Sequence, residues 1–133
     1  MKRILLLDDN IYEYKKAIDI LRSQYDVSAS SYIQTIRHKL MNSIDYDLIV
    51  LDIMIPTLGL FDSEETSDGL RTGLVFYEKE IKPLQIPVLF WSWNTDFEEE
   101  IKRKKWADTD FLLKQDDDDH LLNGVNRFLE RLK

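Results

Sequence analysis

Hydrophobic and polar positions along the chain fall into two alternating textures. Residues 4–7, 27–30, 48–51, 87–91 and 111–113 are short runs dominated by apolar side chains, mostly branched or aromatic, and too brief for helices. The run at 48–51, Leu-Ile-Val-Leu, has no polar position, the pattern of a strand buried on both faces. The run at 27–30 is the weakest and is placed mainly by its position in the series. Between the runs, apolar residues recur at helical spacing. Tyr14, Ile18, Leu21 and Tyr25 predict a helix over 11–25 capped by Asn10, and Ile33, Ile36 and Leu40 predict one over 33–41. Leu74, Tyr77 and Ile81 predict a third helix over 72–81. A charged fourth runs from a cap at Thr95 or Asp96 to about Lys105. A fifth, with Leu121, Val125, Phe128 and Leu132 facing the core, follows the four aspartates at 116–119. Acids at a helix N-terminus favour the macrodipole, so that run reads as capping and not as a calcium loop.

Strand and helix thus alternate five times, which predicts an α/β fold: a parallel five-stranded sheet with helices on both faces and right-handed crossovers. The expected arrangement at this length is flavodoxin-like and doubly wound, with strand order 2-1-3-4-5. No repeat, linker or second domain interrupts residues 1–133, so the chain reads as one domain. The exception to the rhythm is 57–69, an acidic stretch without periodicity, which predicts a long loop.

Composition narrows the function classes. Cysteine is absent, which excludes disulfides and thiolate metal sites. A net charge of −7 leaves no basic face for nucleic acid, and the basic run Lys102, Arg103, Lys104, Lys105 reads as a solvated helix face. No apolar run approaches the roughly 20 residues that cross a bilayer. The apolar start at 4–7 is cut off by Asp8 and Asp9 where a signal-peptide cleavage site would stand, so the chain reads as cytoplasmic. No glycine-rich phosphate loop follows the first run. His38 and His120 read as surface residues, and Trp91 and Trp93 as packing groups.

In a parallel sheet of this order the C-terminal ends of strands one, three, four and five meet at one edge, where open α/β sheets place their sites. Those ends carry Asp8 and Asp9, Asp52, Ser92 and Lys114. Crowded carboxylates repel by about 4 kcal/mol per close pair at an effective dielectric near 20, so they call for a cation. An all-oxygen acidic site suits Mg²⁺. An ionised Asp52 beside that ion and a lysine is a competent nucleophile toward phosphorus, with Ser92 able to hydrogen-bond a transferring oxygen.

The segments Leu5-Leu6-Leu7-Asp8-Asp9-Asn10, 46–56, 87–92 and Asp110-Phe111-Leu112-Leu113-Lys114 together resemble the receiver domain of two-component response regulators, over essentially the whole chain. The resemblance implies that Asp52 accepts a phosphoryl group from a histidine kinase or histidine phosphotransfer protein. It implies that Asp8, Asp9, Asp52 and the backbone carbonyl of Met54 hold Mg²⁺. Lys114 corresponds to the phosphate-binding lysine, Ser92 to the switch hydroxyl and Phe111 to the switch aromatic. Phosphorylation then changes a partner-binding surface for a downstream protein, with no catalysis on external substrates. A homodimer through the last helices stays open. With no effector domain after Lys133, output is expected through a partner, unless the chain is a fragment.

Four departures stand beside the resemblance. The connection after Pro56 is longer than usual, and either Gly69 or Gly73, preferably Gly73, is the family glycine. The extra residues are either a partner-recognition loop or a surface loop without a role. Trp93 follows the switch hydroxyl where a small residue is usual, and a bulky indole there narrows access to the phosphoryl group. Gln115 replaces a common proline. The alternative function is a receiver-fold interaction module that acts independently of phosphorylation. A haloacid-dehalogenase type phosphatase needs a second acid two residues after the nucleophile, where this chain has Met54.

Overall fold

The computed structural model describes residues 1–43 and 45–133. Five parallel strands, β1 (Arg3–Leu7), β2 (Asp26–Ser30), β3 (Leu48–Asp52), β4 (Val88–Ser92) and β5 (Thr109–Leu113), pair in the order β2-β1-β3-β4-β5. They alternate with α1 (Lys15–Arg22), α2 (Ile33–Asn42), α3 (Thr72–Phe76), α4 (Asp96–Lys104) and α5 (His120–Arg131). This is the doubly wound order expected from the sequence.

Successive strand residues point to opposite faces, and the core divides accordingly. Leu5 and Leu7 of β1, Ile49 and Leu51 of β3, and Val88 and Phe90 of β4 pack with residues of α2, α3 and α4. Ile4 and Leu6, Leu48 and Val50, and Leu89 and Trp91 pack with Ala17, Ile18 and Leu21 of α1 and with Leu121, Val125 and Phe128 of α5. Every residue of β3 is buried, because helices cover both of its faces. Removing a fully buried aliphatic side chain from water is worth about 1.5–3 kcal/mol, and β1 and β3 supply eight such residues, so they anchor the edge on which the polar groups stand.

Several local expectations are corrected. The first helix begins at Lys15, four residues later than its periodicity suggests. Asp8 Oδ1 accepts a hydrogen bond from the Asn10 backbone N–H at 2.8 Å, and Asn10 holds Glu13 through its own side chain. The chain after β1 is therefore tied into turns before it can enter a helix. The helix over 72–81 is regular only to Phe76 and continues as a wider π-helical turn, Tyr77–Ile81, and a 3-10 turn, Lys82–Leu84. Pro83 has no N–H with which to extend the α-helical ladder. Leu132 lies at the frayed end of α5 and is exposed rather than in the core.

The stretch at 57–69 is not featureless. Backbone hydrogen bonds Thr66 to Asp62 (3.1 Å), Asp68 to Ser63 (2.8 Å) and Arg71 to Thr66 (2.8 Å) wind it into turns, Thr66 is wholly buried, and Leu60 and Phe61 pack on the core. Its return is sealed by Gly69, whose carbonyl accepts from Ile55 N–H at 3.2 Å. Sequence periodicity misses this because a chain of turns has no single repeat for apolar residues to follow.

Candidate phosphoryl-transfer site

Strand parity explains how the site assembles. Asp8 continues the side-chain row of Leu6, Asp52 that of Val50, and Lys114 that of Leu112, all on the sheet face covered by α1 and α5. The three polar groups thus converge at one end of one face. The ladder extends to hold them: Asp8 N–H donates to Ser30 O at 3.2 Å, and Lys114 N–H donates to Ser92 O at 2.9 Å.

The result is a cleft of about 260 Å³ lined by Asp8, Asp9, Asp52, Met54, Ser92 and Lys114, with Tyr14 and Trp93 in its wall. Lys114 is 4 % exposed and Asp52 3 %, so a charged lysine and a carboxylate share a nearly dry site. Lys114 Nζ lies 2.6 Å from Asp8 Oδ2 and 3.4 Å from Asp52 Oδ2. The closer approach is an ion pair outside hydrogen-bond geometry, and Asp8 Oδ2 is buried with no hydrogen-bond donor among the described residues.

Burial pushes the Asp52 carboxyl up to about 8; Lys114 opposes that shift, and the carboxylates of Asp8 and Asp9 add to it. One lysine does not balance three acids.

The residues fit a hard divalent cation. One oxygen each from Asp8, Asp9 and Asp52 lies within 4.8 Å of the others, the donors are all oxygen, and Asp8 carries an unsatisfied buried oxygen, Oδ2. Exposed Asp9 and half-exposed Met54 leave one side open to water and to an incoming group.

Ser92 is buried, and its Oγ accepts from Asn94 N–H at 3.1 Å. Phe111 is also buried but has the parity opposite to Lys114, packs with the α2–α4 side of the core and does not reach the cleft. Gly73 sits directly on the site strand: its N–H donates to Ile53 O at 2.8 Å, and an added Cβ would lie 2.1 Å from Asp52 O. Gly69 is a glycine for a different reason, its φ of +96°.

Two sequence expectations about aromatic and imidazole groups are overturned. His120, expected at the surface, is buried and joined to Trp91, because the turn at 117–119 folds the start of α5 inward. Asp117 makes that turn, its Oδ1 accepting from Asp119 N–H at 3.0 Å and its carbonyl from His120 N–H at 3.2 Å. Trp93 is not a core packing group but is 50 % exposed at the cleft. His38 is exposed, as expected. Sequence reading also placed Tyr14 only as a core position, and nothing in its spacing signals that it faces Lys114.

No protein-family model matches the chain, and no curated protein matches its sequence. Solved structures do match. A two-component response regulator from Clostridium difficile superposes with a TM-score of 0.69 at 17% identity, covering 100% of this chain and 99% of that one. The receiver domain of Francisella response regulator 1452 gives a TM-score of 0.66 at 22% identity and covers 100% of both chains. The chemotaxis protein CheY4 of Vibrio cholerae gives 0.64 at 20% identity, covering 96% and 98%. The chain therefore has the fold of response-regulator receiver domains along its whole length.

Proposed function

We propose that the chain is a phosphorylatable receiver in a two-component signalling system, with Asp52 as the phosphoacceptor. One observation carries this reading: a nearly buried carboxylate at the end of the central strand stands 3.4 Å from a buried ammonium, beside two further acids. The receiver fold of its structural neighbours supports the same role.

An Asp52 carboxylate oxygen attacks the phosphorus of a phosphohistidine on a histidine kinase or phosphotransfer protein. The new O–P bond forms as the donor's N–P bond breaks, and the imidazole leaves with the electron pair and takes up a proton. Lys114 neutralises charge on the transferred oxygens, and the Ser92 hydroxyl donates to one of them. Asp8, Asp9, Asp52 and the Met54 carbonyl would hold Mg²⁺, which would supply further positive charge to the transfer. Ser92 accepts from Asn94 N–H and keeps its own hydrogen free for the new bond, and as it draws in, Phe111, one strand position from the Asp110–Arg131 ion pair, would follow that shift and alter the surface that a downstream protein reads. The chain acts as a cytoplasmic switch and not on external substrates.

The test is incubation with Mg²⁺ and acetyl phosphate or phosphoramidate followed by intact mass measurement. A single phosphoryl adduct that disappears in Asp52→Asn is expected. No adduct with any donor, a kinase included, would instead favour an interaction module that works without phosphorylation.

A further inference from the structure

Two carboxylates do not account for the whole surroundings of Lys114. Its Nζ lies 4.7 Å from the centroid of the Tyr14 ring and 5.0 Å from that of Trp91. The two rings meet edge to face, 4.9 Å apart at 60°. Ring faces attract a cation most strongly where water is excluded, as it is around a lysine this deeply buried.

The cage is braced from behind. Trp91 is fully buried, and its indole N–H donates to His120 Nε2 at 3.1 Å. An indole nitrogen can only donate, so that imidazole nitrogen is unprotonated and Nδ1 carries the hydrogen, donated to Asp117 O at 2.5 Å. Trp91 is thus pinned to the start of α5 and cannot turn away from Lys114.

Tyr14 is held by its ring alone. Burial is the main cause that raises its phenol to about 12; the Trp93 indole pulls the other way but stays outside hydrogen-bond geometry, and the hydroxyl has no partner among the described residues. A buried, unpaired hydroxyl costs stability. The useful part of Tyr14 is therefore the π-face turned to the ammonium.

We infer that Tyr14 and Trp91 form an aromatic cage that holds the Lys114 ammonium at the cleft, which makes Tyr14 a positioning residue for phosphoryl transfer. The inference rests on the phosphoacceptor reading of Asp52. A lysine has a flexible four-carbon stem, and in the present arrangement its nearest anion is Asp8, not Asp52. When the Asp8 charge is drawn to a cation, the rings keep the ammonium where an oxygen on Asp52 arrives.

The test compares Tyr14→Leu with the conservative Tyr14→Phe, in the wild-type and Lys114→Met backgrounds. With acetyl phosphate and Mg²⁺, Tyr14→Leu slows adduct formation by about 3- to 30-fold, Tyr14→Phe restores most of the rate, and Tyr14→Leu adds less than about twofold once Lys114 is gone. Equal slowing in Tyr14→Phe would assign the role to the hydroxyl, and equal slowing without Lys114 would show that Tyr14 does not act through it; either overturns the cage. A second measurement needs no phosphorylation. In magnesium-free protein, the ¹⁵N ammonium signal of Lys114 should persist in wild type and Tyr14→Phe and vanish in Tyr14→Leu or Tyr14→Met; its persistence in all four also overturns the cage. If wild type forms no adduct, the phosphoacceptor reading fails while the ammonium signal still decides this one.

Discussion

Lys114 stands closer to Asp8 than to Asp52, 2.6 Å against 3.4 Å, although Asp52 occupies the end of the central strand. The lysine thus serves first as a counter-ion for the acid that a divalent cation would claim. A cation bound there would compete with the lysine for Asp8.

Removing that lysine leaves the buried Asp8 carboxylate without its counter-ion. Lys114→Met is expected to destabilise the magnesium-free protein by about 3–5 kcal/mol, the usual cost of breaking a buried pair on one side. Mg²⁺ at 100 times its dissociation constant should return about 2.7 kcal/mol to any form that binds it only when folded. Urea titrations with and without Mg²⁺ measure both. A Lys114→Met midpoint equal to wild type in the absence of Mg²⁺ would show that the ion pair carries no stability.

Asp52 sets a pH dependence of definite sign. Its ordinary value of 3.8 lies below the folded value of about 8, so between them the native chain keeps a proton that the unfolded chain releases. That stabilisation is fully present below about pH 4 and is lost as pH rises through about 8. Asp52→Asn lacks this titration. The substituted protein should therefore gain on wild type as pH rises from 5 to 8.5 without Mg²⁺, by up to about 4 kcal/mol at about 1.4 kcal/mol per pH unit below the folded value, and the gap should close toward pH 5. Paired denaturation curves across this range check it. A gap that stays constant across this range would mean that Asp52 is ionised throughout.

Much of this arrangement is legible in the chain itself. Five apolar runs and the acids, hydroxyl and lysine at their ends suffice for the sheet, its order and the convergence of Asp8, Asp52 and Lys114, because strand parity and topology follow from local pattern. The burial of His120 is not legible, since it depends on how a turn of aspartates folds back. Nor is the partnership of Tyr14 with Lys114, 100 residues away. The turns at 62–69 escape for a third reason: they are stabilised by backbone hydrogen bonds and one buried threonine, neither of which leaves a periodic signature.

Gly73 should tolerate no side chain. A Cβ there would stand 2.1 Å from Asp52 O and 2.7 Å from Ile53 Cα, both backbone atoms that cannot give way cheaply. Gly73→Ala is expected to cost at least about 2–3 kcal/mol by forced overpacking and to displace Asp52, so both unfolding midpoint and Mg²⁺ affinity should fall. A variant with unchanged values for both would contradict this account of the contact between α3 and β3.

Trp93 covers the cleft beside Ser92 and lies 6.3 Å, ring to ring, from Tyr14. Once Asp52 is phosphorylated, the indole should shield the acyl phosphate from water. Trp93→Ala is expected to shorten the aspartyl-phosphate lifetime by about 3- to 10-fold, roughly 1 kcal/mol in the hydrolysis barrier. Time-resolved intact mass after removal of the donor measures it, and equal lifetimes would exclude a shielding role.

The assignment of Asp52 as phosphoacceptor is tested most directly by the mass of the intact protein. After incubation with acetyl phosphate or phosphoramidate and Mg²⁺, one added phosphoryl group is expected on wild type, none on Asp52→Asn and none without the metal. An adduct that survives in Asp52→Asn would contradict it.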